Sequence, residues 1–262
     1  MEFDAIILAG GRSSRLGGVP KAGLIYGGAT LLERSLHAAG AAARTVVVGP
    51  DPGNLPDGVL SCREEPPYAG PAAAIAAGLG ALAVSRAGRD GTVAPPPPPP
   101  FVLVLACDMP RSAAAVRVLF NALAGAPAES PAAEQGRASS DADSKGGVRS
   151  GVDSNDVYGN GGDSSGGDSR DGVMAVSADG RKQPLLGLYS TAALQRCAAD
   201  AARSGSLENA SAFALLARLD VQEVRVPSGS TDDVDTWDDA SALGVSGTIP
   251  DLGPDSGPEL RS

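Results

Sequence analysis

The chain has a single histidine, His37, among its 262 residues. Catalytic triads built on imidazole and His-rich metal sites therefore have almost nothing to draw on. Its three cysteines, Cys62, Cys107 and Cys197, stand far apart with no CxxC pair. That spacing excludes the common zinc sites and offers no disulfide framework. Aromatic residues are only 3% of the chain, so Ala, Val and Leu must carry the core. No apolar run approaches the roughly 20 residues of a membrane span. The N-terminal "MEFDAIIL" has no basic leader before its apolar residues, unlike a signal peptide. The expectation is a cytoplasmic protein without a membrane partner. Clustered Lys and Arg are missing too, which argues against a nucleic-acid partner.

What the chain has in excess is Gly, Pro and acid. The net charge is −10, but between Ala126 and Gly172 nine acids face four bases, and between Gly244 and Ser262 three face one. Setting those two stretches aside leaves the rest near −3, so the acidity belongs mostly to inserts and tail and says little about partners.

The remaining sequence alternates strand and helix patterns. "FDAIIL" (Phe3 to Leu8), "TVVVG" (Thr45 to Gly49), "VLSC" (Val59 to Cys62) and "FVLVLACDMP" (Phe101 to Pro110) are short apolar runs, as expected of buried parallel strands. Thr30 precedes a helical pattern with Glu33 three residues on, the spacing of a capping box. "PAAAIAAGLGALAV" (Pro71 to Val84) reads as a small-residue helix opened by Pro71, and Ser112 to Gly125 as a helix capped by Ser112. "GVMAVSADGRKQPLLGLYS" reads as two strands around "ADG". Two helices, a strand (Val221 to Pro227) and a final short helix follow. This is an α/β fold with a mostly parallel sheet, and chemistry in such folds sits at the carboxyl ends of the strands. One domain over 1–243 is expected. It is interrupted by a proline-rich insertion at 88–100 and a Gly/Ser/Asp-rich insertion at 126–171 expected to be disordered, and 244–262 forms a loose tail.

Three elements carry candidate chemistry. "LAGGRSSRLGGVPK" (Leu8 to Lys21) has four glycines and three cations, Arg12, Arg15 and Lys21, and no carboxylate. It lacks the Walker A and dinucleotide fingerprints. Its backbone N–H groups can still form an anion-binding concavity that suits a triphosphate; the alternative is a surface loop with incidental cations. "ACDMP" puts Asp108 at the end of a buried strand, where a metal-bound ligand would lie. Ser112 is better placed to cap the next helix, which leaves Asp108 to the metal. In "TDDVDTWDDA", Asp238 and Asp239 suit a helix N-terminus, while Asp233 and Asp235 are candidates for a second metal contact. His37 reads as an ordinary boundary residue and Cys107 as core.

Together these stretches resemble the α/β nucleotidyltransferases, and most of all the molybdenum cofactor guanylyltransferase family. The first loop resembles L-A-[AG]-G-x-S-x-R-[ML]-G-x-x-K. "EEPPYAGPAAAIAAGL" (Glu64 to Leu79) resembles the family's G-P-[LA]-A-[GA] segment, and "LACDMP" its C-D-x-P. "QPLLGLYS" resembles P-L-x-A-L-Y, and "DVDTWDDA" resembles D-x-D-T-P-E-D. The motifs run in the family's order from Met1 to about Leu243. Pro20, Ala72 to Ala74 and Trp237 depart from the usual residues.

The resemblance implies a Rossmann-like three-layer sandwich of the nucleotide-diphospho-sugar transferase type. It implies GTP bound through Leu8, Ala9, Gly10, Gly11, Arg12, Lys21, Gly70, Pro71 and Asp108, with Lys21, Arg15 and Asp108 catalytic. Mg²⁺ would be the cofactor, held by Asp108 with Asp233 or Asp235. The implied reaction moves GMP to the phosphate of molybdopterin and expels pyrophosphate, with other cofactor-biosynthesis proteins or molybdoenzymes as partners. Tyr189 and Gln183 are implied at the border of the acceptor site. The competing readings are a CTP-dependent or other transferase with another phosphorylated acceptor, and a nucleotide-binding protein without catalysis.

Overall fold

The apolar run at Phe3–Leu8 forms β1, whose six residues are all buried, as a strand covered on both faces requires. The computed structural model describes residues 1–11, 13–87, 96–125 and 170–247. Arg12, most of the two insertions (88–95 and 126–169) and tail residues 248–262 lie outside the described residues.

After β1 come two-residue strands β2 (Ile25–Tyr26) and β3 (Ala29–Thr30), then helix α1 (Leu31–Ala38). Thr30 caps α1 in the expected capping box with Glu33. Strands β4 (Thr45–Val48) and β5 (Leu60–Cys62) lead to α2 (Pro71–Ala87), β6 (Phe101–Ala106) and α3 (Ser112–Leu123). The chain then forms the hairpin β7 (Gly172–Val176) and β8 (Lys182–Ser190), helices α4 (Thr191–Arg203) and α5 (Ala212–Leu216), and β9 (Val221–Arg225). It closes with α6 (Trp237–Leu243) and β10 (Val245–Ser246).

The main sheet has seven strands in the order β5-β4-β1-β6-β8-β7-β9. Only β8 runs against its neighbours β6 and β7; the other pairings are parallel. The sheet therefore has the expected mostly parallel α/β architecture. On one face Ala5, Ile7, Leu103 and Leu105 pack under Leu32 of α1 and Leu119 of α3. On the other, Ile6, Val46, Val102 and Val104 meet Ile75 and Leu79 of α2, Leu194 of α4 and Leu215 of α5. The small residues of α2 have a steric purpose: a Cβ on Gly78 would come within 2.8 Å of Ile6 Cγ2.

The sequence expectation fails at two structural points. Ser112 is the first residue of α3 rather than its cap; Arg111 holds the cap position and no side chain caps the helix. Ser112 donates its N–H to Met109 O (3.2 Å) and is buried, so a tight turn after Asp108 draws it into the first helical turn. The second point is the tail expected to be loose from 244 onward: Val245–Ser246 forms β10 and joins a small sheet, β10-β2-β3, whose strands are too short to show any periodicity.

One charge sits inside the apolar frame. Asp4, on β1, accepts a hydrogen bond from Arg86 Nη2 at the end of α2, and their side chains are 1% and 8% exposed. The other carboxylate oxygen of Asp4 is buried without a partner among the described residues. Breaking such a pair leaves a charge stranded, whereas replacing both partners does not. Arg86→Met is therefore expected to cost about 3–5 kcal/mol in urea unfolding. The double replacement Asp4→Val with Arg86→Met should regain most of that loss.

Candidate active site

Leu8 and Ala106 are register partners at the carboxyl ends of β1 and β6, and Cys107 donates its N–H to Leu8 O (3.0 Å). The glycine loop and Asp108 thus leave the same rim of the sheet. The loop turns twice, through 3-10 turns at Ser14–Leu16 and Lys21–Gly23. A third small core holds it down: Leu16 and Leu24 pack with Leu31, Val234, Ala240 and Val245. Pairing of β10 with β2 adds backbone hydrogen bonds between the same regions. Val234 also donates its N–H to Asp108 O (3.1 Å). The segment after β9 is thereby drawn across to the first loop.

That convergence produces the charged centre. Lys21 Nζ donates to Asp108 Oδ2 at 3.0 Å and also to Asp235 Oδ1, residues 87 and 214 positions away. One carboxylate oxygen from each of Asp108, Asp233 and Asp235 lies within 4.8 Å of the others. Burial works to lower the Lys21 pKa, but the charge of Asp108 and the hydrogen bonds to Asp235 and Asp108 outweigh it and hold it above 10.5. Asp233 moves the other way in stability terms. Partial desolvation, then the charges of Asp108 and Asp235, raise its carboxyl above the usual 3.8. Three carboxylates without soft ligands are a donor set for a hard divalent cation such as Mg²⁺.

A cavity of about 310 Å³ opens beside this centre, lined by Leu8, Gly10, Gly11, Lys21, Gly70, Pro71 and Asp108 among others. Seven of the residues singled out from sequence thus share one cavity. Gly70 is required here: its φ is +95°, and a Cβ would come 3.3 Å from Ala210 O. Ala9 sits behind the wall with its N–H given to Val48 O (2.9 Å). Arg15 is exposed on the loop and does not line the cavity. Arg12 lies outside the described residues. Cys107 is buried, and burial with the Asp108 charge pushes its thiol pKa up, so it is an inert core thiol. Asp239 completes a capping box with Thr236 at α6 and Asp238 lies in the same first turn, as expected of helix-terminal acids.

Glu64 and Tyr68 are among the residues of this cavity that were not read as site residues from sequence. Glu64 is 6% exposed, and its Oε1 accepts the Tyr68 N–H at 2.9 Å. Tyr68 lines the cavity with a left-handed backbone, φ +65°. The available signal was an acid and an aromatic just ahead of the Gly70-Pro71 pair. A second, polar cavity of about 240 Å³ lies on the Asp233 side, with Arg181, Gln183 and Thr231 in its walls. Gln183 is therefore near the centre. Tyr189 is not: its ring is wholly buried and its OH donates to Pro184 O (2.8 Å). Its register partner is Val102, near the amino end of β6 and away from the Asp108 rim, and strand alternation turns its ring into the α2/α4 core.

Opposite pH signatures follow from these shifts. Because its folded pKa is raised, Lys21 adds stability at pH 7 that is lost as pH rises through that pKa. The gap in melting temperature between wild type and Lys21→Met should therefore close above pH 10.5. A raised carboxyl pKa means that ionised Asp233 opposes folding. Asp233→Asn is expected to melt higher than wild type at pH 7, with the gain gone below pH 3.8. Both are read from thermal unfolding across pH without added metal.

The chain as a whole resembles known proteins. Among solved structures, molybdopterin-guanine dinucleotide biosynthesis protein A from Archaeoglobus fulgidus matches at TM-score 0.52 and 16% identity, covering 92% of this chain and 96% of its own. The 2-C-methyl-D-erythritol 4-phosphate cytidylyltransferase of Thermus thermophilus matches at 0.53 and 19%, covering 93% and 97%. That of Francisella tularensis matches at 0.56 and 11%, covering 93% and 99%. At these identities the likeness is one of fold. No curated protein matches. No helix among the described residues is long and apolar enough to cross a membrane. The family model of the MobA-like NTP transferase domain matches residues 5–224, from β1 into β9. Spanning the glycine loop, Asp108 and most of the sheet, that match makes the chain a member of the MobA-like NTP transferase family.

Proposed function

We propose that this protein transfers GMP from GTP to the phosphate of molybdopterin, releasing pyrophosphate. The observation that carries the guanine preference is Glu64, a buried carboxylate in the wall of the cavity that also holds Lys21 and Asp108. A carboxylate only accepts hydrogen bonds. Guanine alone among the common bases offers two adjacent donors, N1–H and the 2-amino group, with no acceptor between them. Adenine and cytosine set a ring acceptor beside the amino group, and uracil flanks its N–H with carbonyls. The family membership and the fold shared with a molybdopterin-guanine dinucleotide biosynthesis protein support the acceptor.

In this reading the glycine-loop N–H groups and Lys21 take the phosphates, and Asp108, Asp233 and Asp235 hold Mg²⁺. A Mg²⁺ ion held by these carboxylates would supply charge neutralisation for the phosphate oxygens. An oxygen of the acceptor phosphate forms the new bond to the α-phosphorus. The bond from that phosphorus to the β-phosphate bridging oxygen breaks, and its electron pair leaves on pyrophosphate. No imidazole is needed, because positioning and charge stabilisation carry such transfers. Lys21 leaves its two carboxylates for the phosphates, so it is counter-ion to the acids before the nucleotide binds and a partner of the nucleotide afterwards.

The test is pyrophosphate release with Mg²⁺, molybdopterin and each of GTP, CTP, ATP and UTP. Release from GTP alone, dependent on molybdopterin, is expected. Asp108→Asn should lower it by about 100-fold or more, and Glu64→Gln should narrow the preference for GTP over ATP. Release from CTP in place of GTP would replace the guanine reading with a cytidylyltransferase.

A further inference from the structure

The segment between β5 and α2 holds an aromatic side chain in an expensive place. Tyr68 has φ +65°, a conformation that glycine takes freely and that a side chain with a Cβ resists. The residue is 42% exposed, so the strain does not serve core burial. It is the one aromatic among the described residues lining the cavity, whose other apolar walls are aliphatic or glycine. The geometry around it is fixed on both sides. Glu64 Oε1 accepts its N–H at 2.9 Å. Ala69, next in the chain, donates its N–H to Pro66 O (3.2 Å) and accepts from Asn209 N (2.6 Å). The Arg63 guanidinium lies 5.0 Å from the ring centroid, within cation–π range.

A strained residue held by several neighbours, with its ring kept out of the core, marks a place where the missing burial comes from something bound. The cavity divides its chemistry accordingly. Lys21 and Asp108 form its charged wall, while Glu64 and Tyr68 stand together in the wall ahead of Gly70. A nucleobase needs an edge partner and a face partner, and these two residues are one of each. We propose that Tyr68 is a stacking platform for the nucleobase, locked in its left-handed conformation by Glu64, so that one carboxylate reads the base edge and also sets the ring under its face. This rests on reading the cavity as the nucleotide site.

The platform predicts a trade of stability for binding that a structural tyrosine would not show. Tyr68→Gly removes the strain and the ring together; Tyr68→Leu removes the ring and keeps the strain. In thermal unfolding without ligand, Tyr68→Gly is expected to melt higher than wild type by about 2–4 °C. In calorimetric titrations with Mg²⁺, both variants should bind GTP and ATP roughly tenfold or more weakly, because stacking serves any base. Binding of inorganic tripolyphosphate, which has no base, should stay at the wild-type level, and Tyr68→Phe should bind GTP as wild type does. Wild-type GTP affinity in Tyr68→Leu would overturn the platform, as would an equal loss of GTP and tripolyphosphate binding. Wild-type protein that binds tripolyphosphate but no nucleotide would overturn both the platform and the reading of the cavity on which it rests.

Discussion

The Lys21 ammonium is the contact on which the rest of the site depends. Three carboxylates, from Asp108, Asp233 and Asp235, converge to within 4.8 Å, and like charges at that distance repel strongly unless a cation stands among them. Lys21 supplies it by bonding Asp108 and Asp235 together. The protein thus carries its own counter-ion at the centre. The same requirement explains the third core. Leu16 and Leu24 flank Lys21 in sequence, Val234 precedes Asp235, and all three are buried together. Each buried apolar side chain contributes about 1.5–3 kcal/mol by transfer from water, enough to hold two remote segments against the repulsion of their acids.

The two ends of β1 divide structure from chemistry. Near its start, Asp4 is locked to Arg86 inside the molecule; at its end, Leu8 opens into the glycine loop and the cavity. The first charge is satisfied within the protein and buried, which ties α2 to the sheet. The second set is half-open to solvent. Closely similar ion pairs thereby sit in opposite surroundings: water is excluded from one and reaches the other.

Much of this was legible in the residues. Continuous apolar runs announced β1, β4 and β6, because strands covered on both faces leave no room for alternation. Thr30 and Glu33 announced the start of α1 by capping chemistry that needs only four consecutive residues. The motif order pointed to Lys21, Asp108, Gly70 and Pro71, which share one cavity. The failures were of another kind. Ser112 had the right chemistry for a cap but lost the position to a tight turn. Tyr189 lay in a motif of the right family, yet strand alternation buried it. Glu64 and Tyr68 stood inside a recognised motif without being singled out, since nothing local shows that a carboxylate will be buried or a ring left out.

The sequence by itself determined the α/β alternation, the candidate phosphate loop, the acid at the end of β6 and the family. Each rests on contacts between near neighbours or on residue order, which a linear chain displays directly. Tertiary structure decided what no local pattern contains: that Lys21 meets Asp235 across 214 residues, that β10 pairs with β2, and that Glu64 holds Tyr68 in a cavity wall. These depend on long-range pairing and on the exclusion of water, and both come into being only when the sheet and its three cores assemble.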